Sequence, residues 1–86
     1  MNPIPPFWFK QRQCKLEPAG DDGKTFRVTA PNFGEAYLSV GPASPGGWRG
    51  SLRLQPGGPE LAAADAASAQ EAWGRTFELL RTRVLI

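Results

Sequence analysis

Thr25-Phe26-Arg27-Val28-Thr29-Ala30 and Glu35-Ala36-Tyr37-Leu38-Ser39-Val40, joined through Pro31-Asn32-Phe33-Gly34, decide the fold. In the first run Phe26, Val28 and Ala30 share one parity, while Thr25, Arg27 and Thr29 share the other. In the second, Ala36, Leu38 and Val40 alternate with Tyr37 and Ser39. A period of two is the signature of strands with one face in a core and one in water, and the Pro/Gly turn makes them neighbours.

Working outward, Trp48 to Leu54 alternates again, with Trp48, Gly50, Leu52 and Leu54 on one face and Arg49, Ser51 and Arg53 on the other. Phe7 to Glu17 reads as the first strand. Phe7 and Phe9 lie on one parity and Cys14 and Leu16 on the other, so a bulge or bend is expected near Gln11–Gln13. Asp22-Gly23 supplies the turn after it.

The last third is different. Residues 60–82 read as a helical segment: Leu61 to Ala67 is Ala-rich, and Ser68-Ala69-Gln70-Glu71 fits a capping box. Ala69, Ala72, Trp73, Thr76, Phe77 and Leu80 then form one helical face. Burying Trp73, Phe77 and Leu80 contributes roughly 5–8 kcal/mol gross. Gly74 weakens the helix by about 1 kcal/mol relative to Ala, and a small residue beside Trp73 suggests close approach to the sheet.

The expected fold is therefore α+β: an antiparallel sheet of about four strands, in ββββα order, with one C-terminal helix packed on one face. The 86 residues form a single domain. Residues 1–6 are a Pro-rich leader, 7–54 the sheet, 60–82 the helical segment and 83–86 an apolar tail. That tail, Val84-Leu85-Ile86, is expected to tuck against the core or to offer a strand to a second copy.

Composition narrows the function. The chain has no His and one Cys, which removes His-based acid–base catalysis, the Ser-His-Asp triad and the common zinc sites. The five glutamates, Glu17, Glu35, Glu60, Glu71 and Glu78, have no spacing that forces two carboxylates together. No catalytic residue, cofactor or metal is expected, and the chain reads as a non-enzyme. Cys14, with no His to activate it and Leu16 facing the core beside it, is expected to be an inert, small buried side chain. Gly41 to Gly47 lacks the Lys and Ser/Thr of a phosphate loop, and Asp21-Asp22 lacks the oxygen count for calcium. Three prolines interrupt Met1 to Lys10 and no basic residue precedes them, so no secretory leader is read there. Nor does any apolar stretch reach a membrane span. With one cysteine, a cytoplasmic setting is expected.

Charge is unevenly placed. Residues 1–55 hold seven bases and four acids, and residues 56–86 three bases and four acids. The outward sheet face is thus a candidate binding surface, with Arg27, Tyr37, Arg49 and Arg53 at its centre. Guanidinium groups can fork onto phosphates, and an exposed tyrosine can stack on a base. Trp48-Arg49-Gly50-Ser51-Leu52-Arg53, followed by Ser68-Ala69-Gln70-Glu71-Ala72-Trp73, is similar in rhythm to plant AP2-type and integrase N-terminal DNA-binding domains. The similarity covers about a third of the chain. It implies a sheet, set on a helix, that reads DNA. The chain departs from it in lacking a first strand dense in Arg and Lys, and no short strand is read directly before the helix. The functional expectation is an accessory module with a protein partner of unknown identity, monomeric or a weak homodimer. Nucleic-acid binding through Arg27, Tyr37, Arg49 and Arg53 is the alternative.

Overall fold

A computed structural model describes residues 3–20, 24–31, 34–43 and 46–84. The element order is α1 (Phe7–Gln11), β1 (Lys15–Pro18), β2 (Thr25–Ala30), β3 (Gly34–Pro42), β4 (Trp48–Arg53), β5 (Glu60–Ala66) and α2 (Ala69–Arg83). The strands form one antiparallel meander in the order β1-β2-β3-β4-β5, with α2 lying over β3, β4 and β5. The class is α+β as expected, but the sheet has five strands rather than about four. The turn at Asp22-Gly23, the Asp21-Asp22 pair and the tail residues Leu85-Ile86 lie outside the described residues.

The register obeys the alternation. Phe26 stands opposite Leu38 and Val28 opposite Ala36, while Leu38 in turn faces Leu52 and Val40 faces Gly50. These side chains, with Ala72, Trp73, Phe77 and Leu80 of α2, form the core. Phe26 meets Trp73 edge-on at 5.4 Å between ring centroids. At the far end of β4 the pattern weakens, and Leu54 is exposed.

Two segments depart from the expected elements. The first is Phe7–Gln11, which is one short helix and not the start of a strand. Pro6 holds the entering chain extended, and its carbonyl accepts from the Phe9 N–H. The helix then closes with a Schellman-type pair of bonds. Cys14 N donates to Phe9 O and Gln13 N to Lys10 O, with Gln13 in the left-handed region at φ 59°. The chain does turn near Gln11–Gln13, but at the end of a helix and not at a slip within a strand. In a helix, residues two apart point to opposite sides, so Phe9 is buried against Phe77 while Phe7 stands in solvent.

The second is Glu60–Ala66, which is a strand although its alanines favour helix. Pro56-Gly57-Gly58-Pro59 turns the chain back, with Gly57 at φ 70°. The strand then pairs with β4, Gly50 opposite Ala64 and Leu52 opposite Ala62, with a register shift between Leu52 and Arg53. Small side chains here let α2 come down onto the sheet. A Cβ on Gly50 would lie 1.9 Å from Thr76 Oγ1 and 3.0 Å from the Ala72 carbonyl oxygen. The close approach is made by Gly50, not by Gly74, whose added Cβ would meet open space. The helix itself starts at the expected cap, where Ser68 Oγ accepts from the Glu71 N–H at 3.1 Å. The Glu71 carboxylate turns to Arg75, 3.0 Å away, and so leaves the box half formed.

Candidate functional site

The sheet face turned away from α2 carries all four candidate residues, and cross-strand register decides how they meet. Arg27, Tyr37, Arg53 and Glu60 form one row over β2, β3, β4 and β5, and Glu17 of β1 extends it opposite Arg27. Arg49 lies on the edge of the same face, opposite Gly41 and Asp65.

None of the three arginines is left uncompensated. Arg27 contacts Glu17 at 3.3 Å and Glu35 at 3.9 Å. Arg49 contacts Glu60 at 3.0 Å and Asp65 at 3.3 Å, and these hydrogen bonds and charges raise its pKa further above its usual range. Arg53 is the most engaged. Its Nε donates to the Gly58 carbonyl at 3.0 Å and its Nη1 to Ser51 Oγ at 2.9 Å, while Nη2 lies 3.6 Å from Glu60. Ser51 in turn lies 2.7 Å from Ser39 Oγ, so a partly buried polar chain runs under the guanidinium. Glu60 therefore bridges two arginines, and within this network three guanidinium groups face four carboxylates.

Tyr37 is 9% exposed rather than presented as a stacking platform. It lines a recess of about 510 Å³, whose walls include Arg27, Arg53 and Ser39 and whose rim is Pro18, Ala19 and Pro56 to Gly58. The register thus brings Arg27, Tyr37 and Arg53 together and leaves Arg49 outside their recess.

Glu35 shares the parity of Tyr37 and was open to sequence reasoning. Glu60 and Asp65 were not, because their segment reads as helix. A second, apolar groove of about 670 Å³ lies beside α1, lined by Pro5, Pro6, Phe7, Phe9, Cys14 and Leu16 among others. Phe7, 82% exposed, stands at its mouth side with its ring open to solvent. Burial pushes the Cys14 thiol up, against a smaller lowering by the Arg12 guanidinium, which keeps it protonated at neutral pH and a poor nucleophile. Among the described residues no three His, Cys, Asp or Glu side chains gather to hold a metal ion, and no helix is long and apolar enough to cross a membrane.

Comparison of the chain with protein-family models, with curated proteins and with solved structures finds no match.

Proposed function

We propose that the chain is a non-catalytic protein-interaction module that receives its partner at the Tyr37 recess. The observation that carries this reading is the pairing of Arg27, Arg49 and Arg53 with Glu17, Glu35, Glu60 and Asp65. A phosphate backbone draws its affinity from unneutralised cationic charge, and its approach here would bring it against four carboxylates. A protein partner asks for something else: a concave site with Tyr and Arg at its centre, the residue types that anchor protein interfaces. A cytoplasmic setting belongs to the same reading, supported by the single cysteine of the sequence.

Nucleic-acid binding is the second reading. Its support is that β5 directly precedes α2, a strand that the AP2-type pattern requires. Its weakness is that the same strand brings Glu60 and Asp65 onto the arginines.

A photo-crosslinking residue in place of Ala19, exposed on the rim, should trap a discrete polypeptide in cells expressing the protein. The same residue in place of Thr82, exposed on α2, should not. Crosslinks to nucleic acid from position 19, or an identical pattern from both positions, would overturn the proposal.

A further inference from the structure

The start of the chain has a charge balance unlike that of the sheet face. Residues 1–16 hold Lys10, Arg12 and Lys15 and no Asp or Glu, and the first acid, Glu17, is drawn to Arg27. Among the described residues Lys10 makes no ion pair. The same segment builds the apolar groove beside α1, with Pro5, Phe7, Phe9 and Leu16 in its walls, and none of its described lining residues is acidic. Lys10 lines the groove, and the Arg12 guanidinium acts on Cys14, another lining residue. Phe9 is anchored in the core by Phe77, whereas the Phe7 ring stays open to solvent. Apolar surface left open beside cations is the make-up of an interaction site.

We propose that this groove seats an apolar side chain from an acidic, amphipathic segment of a partner protein, with the segment's carboxylates over Lys10 and Arg12. Two features of the groove select that occupant. Its concave apolar walls need a projecting aliphatic or aromatic group from the other side, which a flat bilayer surface does not supply and a phosphate backbone lacks. Its charge is one-signed, so carboxylates beside that group are attracted while lysines and arginines are turned away. Filling the groove covers the Phe7 ring, the kind of aromatic anchor on which interfaces rely. The groove shares no lining residue with the Tyr37 recess, so the two surfaces can work independently. One seated side chain and a few rim charges make a small interface, and a dissociation constant of roughly 10 μM to 1 mM is expected.

A ¹⁵N-correlated NMR titration of the full chain tests this. The probe is a short helical peptide with leucines on one face and glutamates on the other, and its twin carries lysine at each glutamate. The amides of Phe7–Gln11 and of Cys14–Leu16 should shift together with the acidic peptide, and the twin should bind at least about tenfold more weakly. Phe7→Ala and Lys10→Glu should each weaken the acidic peptide at least about threefold. Both side chains are exposed, so both variants should fold, which circular dichroism checks. Neither should alter crosslinking from position 19, so failure here leaves the Tyr37 reading standing. No shift at millimolar acidic peptide overturns the proposal, as does equal binding of the two peptides or binding that neither variant weakens. So does a response of the same amides to anionic phospholipid vesicles or to oligonucleotides in place of the acidic peptide.

Discussion

Two glycines predict opposite outcomes for the same substitution. Gly50→Ala drives a methyl into Thr76 Oγ1 and the backbone of α2, and overpacking of this kind costs about 2–3 kcal/mol. Gly74→Ala meets open space on an exposed helical turn and should stabilise by about 1 kcal/mol. Denaturant midpoints of the two variants should move in opposite directions. The arginines separate in the same manner. Arg27 is half-exposed and its ion pairs are worth little, so Arg27→Ala should change stability by about 0.5 kcal/mol or less. Arg53→Ala removes donors from Gly58 O and from the Ser39–Ser51 pair, and should cost about 1–2 kcal/mol. If the two arginine variants unfold alike, Arg53 is not the structural centre of this face.

Among the elements, α1 and β5 were the two that sequence pattern misread. Phe7 and Phe9 satisfy strand parity as well as they satisfy nothing else, because a five-residue helix is too short to display a period of 3.6. What decides the matter is tertiary: Phe9 fits against Phe77 at 5.5 Å. Phe9→Ala should therefore cost about 3–5 kcal/mol, whereas Phe7→Ala should stay within about 0.5 kcal/mol. Equal losses in chemical denaturation would mean that both rings share one buried face. β5 was hidden for another reason. Alanine has the highest helix propensity, and in Ala62–Ala64 no alternation of size or polarity signals a strand. The choice is made by the Pro56–Pro59 turn and by a partner strand, β4, with no room for larger side chains under α2. In contrast, β2, β3 and the Ser68 start of α2 were legible because alternation and capping are local.

For the whole molecule, one layer of sheet covered by α2, with Phe9 of α1 at its side, gives a single core. A chain of this size holds a net stability of only about 4–13 kcal/mol. Trp73, 5% exposed and in contact with Phe26 and Phe77, joins the sheet to the helix. Trp73→Ala should cost about 3–5 kcal/mol and remove most of the cooperative thermal transition. A variant that melts as sharply as the wild type would mean that α2 is not what closes the fold. The candidate surface was legible only in part. Parity placed Arg27, Tyr37, Arg49 and Arg53 on one face, but Glu60 and Asp65, which neutralise Arg49 and Arg53, come from a strand read as helix. The central claim is that this face is compensated rather than cationic. It is tested most directly by following the Arg Nε–Hε resonances in ¹⁵N-correlated NMR during titration with mixed DNA and RNA oligonucleotides at low salt. The signals of Arg27, Arg49 and Arg53 are predicted to stay in place. Joint shifts of the three that reverse as salt is added would contradict the account and make the sheet a nucleic-acid surface.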